Sequence, residues 1–217
     1  ASFIKELHQA ITRTQDTYLA TDSLGRTFNA KLPKGEWKKE VNHVLRRDNT
    51  ILEYAPPEQV QSEIDSLLEL WQALEDSQVH PIIKAVWLHH RFVQIHPFAD
   101  GNGRVARALV LLVLEKHRYA PLVIDRWHRE TYIDALDAAN HGSLAKLVKL
   151  FARLETASLA AELNVPEETA ETKISINVAR TLADQIEEFQ RTMNLQIQTT
   201  LKTLTLAVAG MMKKWFE

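Results

Sequence analysis

The sequence predicts a mainly α-helical bundle with one small β-hairpin and a long helical extension at the C-terminus. Three observations point there. Only six glycines and seven prolines occur in 217 residues, too few for a fold rich in tight turns. Apolar residues recur at steps of three and four along most of the chain, which is the helical period. Two short β-prone runs flank Asp48-Asn49, and both of those residues tolerate the left-handed conformations of hairpin turns.

The elements follow in order. Phe3–Thr14 reads as the first helix, with an irregular region after it to about Glu40. The hairpin occupies residues 42–54, and Pro56-Pro57 stop its second strand. Helices are predicted near Pro57–Leu74, Pro81–Ile95, Gly103–His117, Arg129–Ala139 and Ser143–Leu163. Within Pro81–Ile95 the apolar positions Ile82, Ala85, Val86, Leu88, Phe92 and Ile95 keep helical spacing. Residues 1–163 thus read as one domain and 164–173 as a short acidic linker around Pro166-Glu167-Glu168. The extension covers 174–217. There Ile186, Phe189, Met193, Ile197, Leu201, Leu204, Val208, Met211 and Trp215 recur at steps of three or four, as on a helix-docking face. The face reads as packing back onto the domain, with a homodimer or another segment as the alternative partner.

Composition narrows the function classes. A net charge of −2 with 25% charged residues gives no electrostatic case for a nucleic-acid partner. The absence of cysteine excludes disulfide and thiol chemistry and suits a reducing compartment. No apolar run of membrane-spanning length and no signal-peptide pattern occurs, so no membrane partner and a cytoplasmic location are expected. The chain opens at Ala1-Ser2 and closes inside a helical pattern, so a piece of a longer protein is expected.

The chemistry is concentrated in His96-Pro97-Phe98-Ala99-Asp100-Gly101-Asn102-Gly103-Arg104-Val105-Ala106-Arg107. Gly101 and Gly103 would allow positive φ and close approach of a ligand. Backbone N–H groups in such a loop, at the start of a helix, attract phosphate oxygens. Arg104 and Arg107 are three residues apart, share a helix face and can reach one polyphosphate. Their planar, permanently charged forks suit that anion. Asp100 beside phosphates would be repulsive without a bridging cation, and Mg²⁺ is the cation usually held by one or two carboxylates plus phosphates. His96 is a proton acceptor near neutral pH. Gly101–Ala106 also spells G-x-G-x-x-A, but a dinucleotide fingerprint needs a strand before the glycines, and here a helix precedes them. No Walker A pattern occurs. His89 and His90 read as structural, His128 and His141 as surface positions, and Trp127 and Tyr132 as helical core.

These residues resemble the signature of the Fic family, H-x-F-x-[DE]-G-N-G-R-x-x-R, at every defined position. Phe3–His8, Tyr54-Ala55-Pro56-Pro57, His89–Ile95 and Tyr132–Asn140 are similar to further stretches of Fic domains. The resemblance implies the Fic fold, with the hairpin as a flap beside the active site, and an enzyme moving AMP from ATP to a target Ser, Thr or Tyr. By position, His96 would be the general base and Asp100 the Mg²⁺ ligand. Gly101, Asn102 and Gly103 would line the anion pocket, with Arg104 and Arg107 on the β- and γ-phosphates and Asn140 at the adenine. Phe98 would anchor the core. The flap residues Val41, Asn42, His43, Val44, Leu45 and Arg46 would dock the target by strand pairing. Another nucleotide donor, removal of AMP, or a nucleotide-binding interaction module without turnover are the alternatives. Inhibition in such proteins comes from a helix with the pattern [ST]-x-x-x-E-[GN], whose Glu pairs with the second arginine, here Arg107. Ser2–Glu6 and Ser158–Glu162 match only its first part, each being followed by Leu. No complete inhibitory helix is therefore read here, which leaves a segment outside this sequence, a separate partner, or no such element.

Overall fold

A computed structural model describes residues 1–21, 25–45, 50–163, 184–189, 191–192 and 195. In chain order the elements are α1 (Ser2–Ile11), β1 (Thr17–Thr21), β2 (Thr27–Lys31), β3 (Val44–Leu45), β4 (Ile51–Leu52), α2 (Val60–Glu75), α3 (Pro81–Ile95), α4 (Asn102–Lys116), α5 (Arg129–Asn140) and α6 (Ala145–Glu162). A 3-10 turn at Pro57–Gln59 leads into α2. The mainly helical architecture is as predicted, and β3 and β4 pair within the predicted 42–54 stretch.

One expectation fails. The irregular region before Glu40 contains a second antiparallel hairpin, β1–β2, in register from Thr17↔Lys31 to Thr21↔Thr27. Alternation of apolar and polar residues reveals a strand only when one face is buried. Here Leu19 and Phe28 are both exposed and no residue of either strand is fully buried, so the apolar residues leave no such pattern. The predicted hairpin is shorter, pairing Val44↔Leu52 and Leu45↔Ile51.

Helix α3 is the centre of the bundle, packed against α2, α4 and α6, while α1 lies on α4 and α5 on α6. Eleven of its fifteen residues are buried, so it lacks the single apolar stripe of a surface helix. Pro81 takes the first helical position, where its missing N–H costs nothing. His80 caps the start, with Nδ1 accepting from Ile82 N–H at 3.3 Å. Buried Lys84 donates to the carbonyls of Glu75 (2.8 Å) and Ser77 (3.0 Å). Its cation thereby sits at the negative end of α2. Phe92, Phe98, Phe151, Ile83 and Leu147 are completely buried in the core.

Ile186 and Phe189 of the C-terminal segment join that core, and Gln185 Oε1 accepts from His80 N–H at 3.2 Å. The linker 164–173 and the face from Met193 to Trp215 lie outside the described residues. Among the described residues no helix is long and apolar enough to cross a membrane.

Candidate active site

Helix α3 ends at His96, whose φ of 51° and ψ of 57° are left-handed. Glycine is usual at such a helix end, because an L side chain there costs roughly 1–2 kcal/mol. The conformation is held by His96 N–H donating to Phe92 O at 3.0 Å, and Pro97 cannot continue the helix. The imidazole is fixed on two sides. Its Nδ1 lies 3.2 Å from Val93 O, and its face stacks on Tyr54 at 3.8 Å and 11°. A carbonyl only accepts, so Nδ1 carries the proton and Nε2 keeps the lone pair. Burial lowers the His96 pKa to about 4, aided by the charge of Lys38 and opposed by the bond to Val93. At neutral pH the side chain is an uncharged base.

The loop after His96 is pinned from below by α1. Phe98 stacks on His8 at 3.8 Å and 9° and packs against Trp37. His8 Nδ1 accepts from Gly35 N–H at 2.9 Å, so His8 Nε2–H donates to Asp100 O at 3.0 Å. Asn102 is buried, and its amide brackets the Phe98 peptide: Oδ1 accepts from Phe98 N–H (2.8 Å) and Nδ2 donates to Phe98 O (2.7 Å). Its side chain is therefore a brace for the loop. Its backbone N–H belongs to the first residue of α4.

Asp100 is oriented through both carboxylate oxygens. Oδ1 accepts from Gly101 N–H at 2.6 Å and Oδ2 from Gln15 Nε2 at 2.7 Å. Arg104 Nη2 stands 3.5 Å from Oδ2 and donates to Gln15 Oε1. Burial alone would raise the Asp100 pKa, but the Gln15 and Gly101 hydrogen bonds and the Arg104 charge outweigh it and lower it. One ionised, half-exposed carboxylate fits Mg²⁺ arriving with phosphates. It does not fit zinc, which takes three or four protein ligands.

The two glycines differ. Gly101 caps α4 with φ 82°. Gly103 does not have the expected positive φ. It lies inside α4, and a Cβ there would meet only Arg107 Nη1 at 3.4 Å. What its missing side chain provides is open space over the helix N-terminus. Arg107 is exposed and forms no ion pair among the described residues.

Beside the motif, a cleft of about 1370 Å³ runs between the β3–β4 flap, α3 and α5. Val44, Leu52 and Tyr54 line one side, and Ile133, Leu136 and Asn140 the other. Asn140 Oδ1 bonds His90 Nε2 at 2.9 Å, and buried His89 meets Tyr132 Oη at 2.7 Å. Trp127, expected in the core, is 78% exposed at the cleft rim, stacked with Arg126. Of the flap residues, Val41 and Val44 are exposed. His43 Nδ1 accepts from Tyr54 N–H at 3.1 Å, and Leu45 lies in β3. Asn42 turns inward, bonded to Lys38 and to Phe98 O. Arg46 lies outside the described residues.

His8, Gln15, Lys38 and Tyr54 enter the site without having been singled out for it. His8 carried a signal, since it sits four residues after buried Ile4 on the inward face of α1, where an apolar residue is expected. Gln15 and Lys38 lie in segments without periodicity and carried none.

Residues 1–114, which include the whole His96–Arg107 motif, match the family model described as Fic/DOC family. The chain belongs to the Fic/DOC family. The protein adenylyltransferase Fic of Culex quinquefasciatus is 40% identical over 88 residues, 40% of this chain and 18% of that protein. The protein of the same name from Nematostella vectensis is 33% identical over 108 residues, 49% of this chain and 25% of that protein. The chain thus spans a quarter or less of these relatives. A Fic domain containing signaling protein from Bacteroides thetaiotaomicron superposes with a TM-score of 0.60 at 26% identity, over 76% of this chain and 64% of that one. A Fic family protein from Desulfovibrio desulfuricans shares the fold at 21% identity, with a TM-score of 0.59 over 75% and 46% of the chains. Asn140, outside residues 1–114, lies beyond the Fic model match.

Proposed function

We propose that this Fic domain is a protein adenylyltransferase. It moves AMP from ATP to a Ser, Thr or Tyr hydroxyl of a target protein and releases pyrophosphate. The observation that carries the reading is one neutral imidazole, its Nε2 without a hydrogen-bond partner among the described residues, beside a glycine-bearing helix N-terminus and two arginines. Matching names among the adenylyltransferase relatives support it.

The proposed chemistry asks for positioning and charge stabilisation. The N–H groups at the start of α4 take phosphate oxygens where Gly103 leaves room. Arg104 and Arg107 hold the β- and γ-phosphates, and Asn140 meets the adenine. Asp100 would hold Mg²⁺, which when bound neutralises phosphate charge. A target segment lies along the flap, from Val41 to Arg46, and presents its hydroxyl to His96. His96 Nε2 takes the hydroxyl proton as the oxygen bonds to the α-phosphorus. The bond from that phosphorus to the bridging oxygen breaks, and pyrophosphate leaves. Arg107, exposed as it is, is the site at which an acidic inhibitory segment or partner would act. A cytoplasmic target is part of this reading.

The test is labelling of a cell lysate with ATP carrying label on the α-phosphate or, in parallel, the γ-phosphate. Covalent α-label lost in His96→Ala supports AMP transfer, and a general base contributes about 10²–10⁴-fold. Label only from the γ-phosphate would make the protein a kinase. ATP binding with no label from either would leave a binding module.

A further inference from the structure

Residues 42 and 54, the two ends of the flap, are both fastened to the His96–Phe98 segment. At one end Lys38 N–H donates to Pro97 O at 2.8 Å, and Asn42 Nδ2 donates to Phe98 O at 2.8 Å. At the other, the Tyr54 ring covers the His96 ring at 3.8 Å. His43 Nδ1 closes the base between them by accepting from Tyr54 N–H at 3.1 Å. Lys38 Nζ ties the two ends. It donates to Asn42 Oδ1 at 2.7 Å and stands 5.9 Å over the Tyr54 ring.

We propose that Tyr54 is a positioning residue for the His96 base, and that the Lys38–Asn42 clip holds flap and base together as one unit. The inference rests on the reading of His96 as the general base.

The physical case has three parts. An imidazole bonded only through Nδ1 can still swing about that bond, and the stacked Tyr54 face removes the swing. The stack leaves Nε2 aimed along one direction in the plane of the ring. Lysine has donors only, so Asn42 must turn Oδ1 toward Lys38 and Nδ2 toward Phe98 O. The clip therefore has one sense. Finally, Lys38 is 3% exposed, and burying an ammonium is costly unless it is paired. A lysine there is held by Asn42 and by cation–π attraction to Tyr54, the residue that covers the base. Burial lowers the Lys38 pKa to about 8, so it remains mostly charged at neutral pH and adds to the forces keeping His96 unprotonated.

Tyr54→Ala and Tyr54→Phe separate the stack from the hydroxyl, and Lys38→Met tests the clip. α-Label incorporation into lysate protein is followed across ATP concentrations. Tyr54→Ala is expected to lower the maximal rate by about 10²-fold, the size of a misplaced catalytic group, with the ATP concentration for half-maximal rate unchanged. Tyr54→Phe, which keeps the ring, is expected to restore most of the rate, and Lys38→Met to lower it without changing ATP use. A second readout needs no activity. The His96 ring-proton NMR signals of the wild type should be shifted upfield by the Tyr54 ring current, and His96→Ala assigns them. The shift should persist in Tyr54→Phe. An unshifted His96 signal in the folded wild type overturns the proposal, as does a Tyr54→Ala protein with the wild-type rate. A wild type that transfers no AMP sinks the adenylyltransferase reading instead, and the ring shift still decides the stack.

Discussion

A Cβ on Gly101 would stand 3.2 Å from His8 Nε2 and 3.1 Å from Thr12 Cγ2. The loop after His96 is thus pressed against α1, an element 92 residues away in sequence by the His8–Asp100 bond. The stack of His8 on Phe98 and the bond to Asp100 O make α1 the floor of the site, so a change at the glycine is felt on both sides of it.

Gly101→Ala should therefore be doubly unfavourable. Its φ of 82° strains any L residue, by about 1–3 kcal/mol for a sparsely populated conformation, and the added methyl must displace His8 or Thr12. The expected result is a lower denaturant midpoint together with loss of α-label transfer. An unchanged midpoint would mean that the loop is not seated on α1.

Acid should weaken the fold before the carboxylates titrate. Burial holds both His96 and His89 at about 4 and also lowers His8, whereas the unfolded chain binds those protons near 6.5. Between those values the unfolded state carries more protons, so stability falls as pH falls. The contribution is fully present above about pH 6.5 and is lost as pH drops toward 4, with His96 accounting for up to about 3 kcal/mol. Urea midpoints measured from pH 7 to 4.5 should decline. His96→Gln should flatten part of that slope, and an equally steep slope in the variant would contradict the buried neutral imidazole.

How much of this was legible in the sequence depends on what each residue rests on. Helices α1 to α6 follow from apolar spacing, because each buries a face in the bundle. β1–β2 escaped because its Leu19 and Phe28 face solvent, so no pattern marks it. The family resemblance places Asn102 at the anion pocket, and residue order says nothing about which way its amide turns. Only the fold shows both of its polar ends engaged by Phe98. Gln15 and Lys38 reach the site through loop geometry, which has no signature in residue order.

Gln15 gives a prediction of its own. Its amide donates to Asp100 Oδ2 and accepts from Arg104, so it sets the rotamer of the proposed Mg²⁺ ligand and one of the proposed phosphate ligands. Partners that orient a metal ligand contribute about 10–100-fold in metal affinity. Gln15→Ala should raise the Mg²⁺ concentration for half-maximal α-label transfer by about tenfold on that scale, leaving thermal stability nearly unchanged. A Mg²⁺ dependence identical to the wild type would remove Gln15 from the site.

Gly103 should behave in the opposite way to Gly101. It is helical, its φ is not positive, and a Cβ there meets only Arg107 Nη1 at 3.4 Å, the end of a flexible, exposed side chain. Alanine in a helix interior is more stable than glycine by about 0.5–1 kcal/mol. Near the first turn part of that gain should remain, so Gly103→Ala should hold or raise the melting temperature. The same methyl would project into the space where a phosphate must approach the α4 N–H groups, and it would crowd Arg107. ATP affinity and α-label transfer should both fall in a protein at least as stable as the wild type. Stability up with activity down is a combination that damage to the fold cannot produce. A Gly103→Ala protein with undiminished ATP binding would show instead that the phosphates do not lie over the start of α4.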